Sequence, residues 1–131
     1  MKIINLTQHV ATGEQITAGV VDVPSNERDR LSIALTFDAL PTMAEIEARA
    51  NNLAGLVIKL APELAVDSET VGAMIGGAPY LMSALEQALI AIGAVPMYAF
   101  SIRESTEQLQ TDSSVRKVNI FRHAGFISVT Q

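Results

Sequence analysis

A chain of 131 residues, 49% of them hydrophobic and 18% charged, with eight glycines, has the make-up of one globular domain and is too short for two. It has no cysteine, which excludes a disulfide scaffold, a thiolate nucleophile and a cysteine-based zinc site, and makes the reducing cytoplasm the expected compartment. The net charge of −5 argues against broad binding to duplex DNA, although residues 103–131 carry four basic groups (Arg103, Arg116, Lys117, Arg122) against three acidic ones and suit a small anion.

Residues 2–6 read as a short buried strand that ends in the polar run Thr7-Gln8-His9. The opening apolar run is too brief for a secretory signal. Thr12 and Gln15 have the spacing of a capping box, so a helix is expected there, with Gly19 as its stop. Residues 20–23 form an apolar piece ended by Pro24, and Asn26 is placed to cap a helix running toward Leu35. From Thr42, the positions Met43, Ile46, Ala50, Leu53, Val57 and Leu60 recur at spacings of three and four, predicting a long amphipathic helix that Pro62 helps to end.

Residues 71–75 are again apolar. Gly76-Gly77 follows as a sharp turn, and Pro79 stands where the first residue of a helix belongs. Leu81, Leu85, Leu89 and Ile92 share one face of that helix, Gly93 ends it, and residues 95–100 return as a strand. Strand, glycine turn, helix and strand make a βαβ unit, hence parallel strands and an α/β fold. Residues 104–114 read as a polar linker, 115–121 as a half-exposed strand, and 126–129 as a further edge piece. The longest apolar stretch, 88–100, is broken by Gly93 and Pro96 and is shorter than the roughly 18 residues of a membrane helix.

Ligands of open parallel sheets bind beyond the carboxyl ends of the strands. Three such ends are expected here: Thr7-Gln8-His9, Gly76-Gly77, and Ser101 through Ser105, which includes Arg103. Amides at a glycine turn opening a helix face a phosphate well, and the helix dipole favours it. The same diglycine equally serves as a plain tight turn, and His9 and His123 equally serve as a loop residue and as a packing partner of two phenylalanines. The turn lacks the third glycine of the dinucleotide fingerprint and the lysine of a P-loop, so neither NAD nor ATP is favoured. Ser101 and Ser105 lack a nucleophile elbow, and the two histidines have no carboxylate at metal-ligand spacing, so no metal and no cofactor are expected.

The first strand with Thr7-Gln8-His9, the turn 76–79 leading into 85–89, the strand end 100–105 and the late run 117–123 together resemble the small stand-alone CRISPR-associated Rossmann-fold (CARF-like) proteins. Residues 24–67 find no counterpart in the resemblance. It implies a single Rossmann-like domain with an open, mainly parallel sheet, in a homodimer. The implied activity is that of a ring nuclease that cleaves a cyclic oligoadenylate, cyclic tetra-adenylate above all, and so switches off type III CRISPR signalling. In such an enzyme a ribose 2′-hydroxyl attacks the adjacent phosphorus without a metal. Orientation alone is worth up to about 7 to 11 kcal/mol in the best intramolecular cases. On this reading Gly76 and Gly77 hold a phosphate, Arg103 and Arg122 neutralise the transition state, and His9 or His123 moves the proton. Thr7, Gln8, Ser101 and Ser105 contact the ligand. The alternatives are a non-catalytic sensor or sponge for the same messenger, an interaction module that docks a partner through the helix 42–60, and a metal-dependent phosphate-ester enzyme of other lineage.

Overall fold

Hydrophobic runs of only three or four residues make the inner strands, and a much longer pair makes one border of the sheet. In the computed structural model, which describes residues 1–64 and 70–129, these are β1 (Ile3–Asn5), β2 (Val20–Asp22), β3 (Gly72–Met74), β4 (Val95–Leu109) and β5 (Val115–Ser128). They form one sheet in the order β2-β1-β3-β4-β5. The first four strands run parallel, and β5 runs antiparallel to β4. The fold is α/β and Rossmann-like, as the βαβ pattern implies.

Alternation along β1 divides the core between the two faces of the sheet. Ile4 joins Ala73, Leu6 and Ile75 in the larger cluster, covered by α2 (Arg28–Leu35), α3 (Met43–Glu63) and α4 (Pro79–Ala91). Ile3 faces the other way with Val20, Met74 and Met97, beside Ala11 and Phe126. That second face has, among the described residues, only one short helix near it, α1 (Gly13–Thr17), which buries none of its residues. Among the described residues, no helix is long and apolar enough to cross a membrane.

The start signals in the sequence act as expected. Thr12 and Gln15 close a reciprocal capping box, Thr42 accepts from the Glu45 amide, and Pro79 opens α4. Gly19 and Gly93 sit at φ +111° and +83°, where a side chain is strained.

Several boundaries differ from the sequence reading. Helix α2 is entered through a 3-10 turn, Ser25–Glu27, with no capping side chain, so Asn26 is not its cap. The buried Glu27 of that turn is ion-paired with Lys59 of α3. Pro62 lies inside α3 but only one residue before its last, Glu63; it deprives only the Ile58 carbonyl of a partner, and Ile58 faces solvent. Met43 and Ile92 are exposed, at the fraying ends of their apolar stripes. The supposed linker 104–114 is mostly strand: β4 continues to Leu109, and the separate pieces 115–121 and 126–129 are parts of the single strand β5, kinked by a bulge opposite Phe100 and Ser101. Polar residues are at home there because the ribbon is exposed on both faces. Of the stretch 24–67, residues 65–67 lie outside the described residues.

Candidate functional site

The chain passes from β1 to β2 on one side and from β3 to β4 on the other, while β1 and β3 lie side by side. The carboxyl ends of β1 and β3 therefore diverge into a crevice, the topological switch point of a doubly wound sheet. A cleft of about 460 Å³ opens there, lined by Thr7, Gln8, His9, Gly76, Gly77 and Tyr98 among others. It brings together two of the three strand ends read from the sequence. Clefts of similar size lie between α3 and α4 and between α2 and α3, but neither is lined by a strand end.

The wall of the cleft is built on Asn5, the buried polar residue that ends β1. Its Nδ2 donates to the His9 carbonyl and to Asp22 Oδ1, each at 2.8 Å. Its Oδ1 accepts from the Thr7 amide at 2.9 Å and the Thr7 hydroxyl at 2.6 Å. Asp22 also accepts from the Ala11 amide at 2.9 Å. One amide side chain thus satisfies both ends of the 7–9 loop, which is how an irregular segment stays ordered beside a sheet. Sequence reasoning missed Asn5 and Asp22; the available signal was a polar residue closing an otherwise apolar strand.

On the opposite wall, Gly77 has φ +141°, which only glycine adopts without strain. Gly76 has no such constraint. A Cβ there would meet Thr7 Cγ2 at 3.7 Å, an ordinary contact, so the missing side chain serves the space of the cleft rather than the fold. No side chain caps the start of α4; Pro79 has no amide hydrogen and the Leu81 amide donates to the Ala78 carbonyl at 3.0 Å, so of its first three residues only Tyr80 keeps an amide for another acceptor. Tyr98 lies half-buried, with its hydroxyl donating to Glu86 Oε2 of α4 at 2.5 Å. Burial first, then the bond to Glu86 and the charge of that carboxylate, push the phenol well above its ordinary range, so it stays protonated.

The remaining sequence candidates lie on the ribbon beyond the cleft. Ser101 pairs with His123, Arg103 with Phe121, and Ser105 with Asn119. Arg122 Nε sits 3.3 Å from the Glu14 carboxylate of α1, and the His123 amide reaches the same carboxylate at 3.4 Å. The His123 ring packs on Phe126 with its Nδ1 buried and unpartnered. Among the described residues, then, no arginine side chain lines the cleft, although Arg28 donates to the Gln8 carbonyl of its loop at 3.4 Å; the donors the lining offers an anion are backbone amides and the His9 imidazole. Thr7 spends its hydroxyl proton on Asn5, so it meets a ligand as an acceptor.

Fold and cleft together define a doubly wound α/β protein with a crevice at the β1/β3 switch point. The chain belongs to the uncharacterized protein MJ1673 family, whose model matches residues 1–127. No curated protein and no solved structure matches it.

Proposed function

We propose that the protein binds a cyclic oligoadenylate at the β1/β3 crevice and cleaves it as a ring nuclease, the ribose 2′-hydroxyl attacking the adjacent phosphorus. The observation that carries this reading is the convergence of the Thr7-Gln8-His9 loop and the Gly76-Gly77 turn, which leads into α4, on one cleft of about 460 Å³. That volume suits one nucleotide-sized unit. Backbone amides at Gly76 and Gly77 receive a phosphate. The Thr7 and Gln8 side chains contact ribose or base. His9 takes the proton of the attacking hydroxyl or returns one to the leaving oxygen, a role typically worth about 10² to 10⁴ in rate. Nucleophile, electrophile and leaving group all belong to the ligand, so the chain needs only to orient them. The working compartment on this reading is the cytoplasm.

A second reading, capture without cleavage, gains support from a lining that among the described residues holds no lysine or arginine side chain, the nearby Arg28 being engaged with the Gln8 carbonyl at 3.4 Å, since developing charge in the transition state calls for such a group. Incubation with cyclic tri-, tetra- and hexa-adenylate in EDTA, with chromatography of the products and calorimetry of binding, separates the two. The expected result is binding with conversion, and a His9→Ala variant that binds but converts at least about a hundredfold more slowly. Binding without conversion selects sequestration. No binding of any ring removes both.

A further inference from the structure

Strand β3 covers β4 only as far as Met97: Gly72 pairs with Val95, Ala73 with Pro96 and Met74 with Met97. Among the described residues, the twelve further residues of β4, through Leu109, are paired with β5 alone. Backbone parity identifies the open groups. The Val95 amide donates to Val71 at 2.9 Å and the Ile75 amide to the Met97 carbonyl at 2.9 Å, so odd-numbered residues of β4 turn toward β3. At the other end the Gln110 amide donates to Ser114 at 2.7 Å, so even-numbered residues turn toward β5. The amides and carbonyls of Ser101, Arg103, Ser105, Glu107 and Leu109 therefore line a bare edge. Isolated two-stranded ribbons are marginal in water, and an open edge is a template for another strand. This ribbon also exposes Ile102, Leu109, Val115, Ile120 and Phe121.

We infer that the edge pairs with the same edge of a second copy, antiparallel about a two-fold axis at Ser105, joining two sheets into one. Charge decides the register. Centring on Arg103 sets that arginine against itself, and centring on Glu104 does the same to that glutamate. Centring on Thr106 leaves Arg103 facing leucine. Centring on Ser105 sets Arg103 against Glu107 of the second copy, twice, and continues a row in which Glu107 already faces Lys117 across the ribbon. Among the described residues no carboxylate lies within ion-pair distance of Arg103, so its charge is available for this contact. The pairing satisfies about ten open backbone groups. It also carries the hairpin tip of the second copy to the level of Ala99, at the rim of the cleft. The inference stands whether or not the cleft takes a cyclic nucleotide.

Sedimentation of the full chain over a range of concentrations, and oxidation of a Ser105→Cys variant, test it. The chain has no cysteine of its own, and directly opposed strand residues lie at a separation a disulfide spans, so Ser105→Cys gives a covalent dimer on mild oxidation and Ile102→Cys does not. Arg103→Glu alone and Glu107→Arg alone each weaken dimerisation about tenfold or more by facing like charges, and the double swap restores it. Ser105→Pro removes an outward amide, abolishes the dimer and leaves the β5 ladder intact, with unchanged circular dichroism as the control for folding. A monomer at every concentration overturns the inference. So does a dimer that ignores the charge swap, as does a wild-type monomer whose edge takes up only extended peptides.

Discussion

The two ends of the sheet are stabilised by different means. β1 and β3 are three residues long, every one of them buried, and their stability is that of the side chains packed over them: Ile4, Ala73, Leu81, Leu85 and Leu89 are all fully enclosed. The β4–β5 ribbon has strands of 15 and 14 residues, yet beyond Tyr98 almost nothing in it is buried. Its order comes from the backbone ladder and from cross-strand pairs such as Glu107 with Lys117. A short strand can thus be rigid and a long one loosely held, because burial rather than ladder length dominates folding energy.

The largest effects belong to the enclosed half. Leu85→Ala, from a site with no exposed surface, lowers stability by about 2 to 5 kcal/mol, whereas Ile120→Ser on the ribbon stays within about 0.5 kcal/mol. Urea melts of the two variants measure this directly. Equal losses would mean that the ribbon is part of the cooperative core, and the contrast would fall.

Next comes the hinge between sheet and cleft. Asn5→Ala strands the Thr7 amide, the His9 carbonyl and Asp22, at about 1 to 3 kcal/mol for each buried group left unpaired. Asn5→Asp is worse, since it replaces the donor that faces Asp22 at 2.8 Å with a second carboxylate. Hydrogen exchange should rise at residues 7–11 in both variants while α3 and α4 stay protected. A uniform rise across the protein would show that Asn5 supports the whole fold rather than the loop.

These contrasts also show what was legible beforehand. The parallel unit from β3 to β4 was readable because glycine, Pro79 and the leucines at 81, 85 and 89 all act locally. The two strand ends of the cleft were readable for the same reason. The length of the ribbon was not: Glu104, Ser105, Thr106 and Glu107 read as loop by composition, and only pairing with residues 117–120 makes them strand. Arg103 and Arg122 were expected beside the diglycine, but β4 carries Arg103 outward past the end of β3, and Arg122 is held by Glu14. Register and strand length are tertiary facts that no short window contains.

The diglycine sharpens the comparison on a finer scale, because its two members separate structure from site. Gly77→Ala pushes a side chain into φ +141° and costs about 1 kcal/mol or more. Gly76→Ala meets only Thr7 Cγ2 at ordinary distance, so stability changes by less than about 0.5 kcal/mol while the added methyl fills the cleft floor. Parallel thermal melts and ligand titrations should show one variant unstable and the other stable but poor at binding. If Gly76→Ala binds as well as the wild type, the ligand does not approach the backbone at that turn.

The smallest effect lies in Tyr98, where the ribbon root meets α4. Its phenol is held above the ordinary range by burial and by the Glu86 carboxylate, so folding favours the protonated form. The stabilisation is therefore complete below pH about 10, the value in the unfolded chain, and declines as pH rises beyond it. Partial exposure keeps the size modest. Tyr98→Phe loses the bond to Glu86, so it starts less stable near neutrality, but it has no phenol to ionise. Urea midpoints taken up to about pH 11 should converge as the wild type weakens. Parallel curves for the two proteins would mean that the phenol is as free to ionise in the fold as out of it, and that the root of the ribbon is as open as its tip.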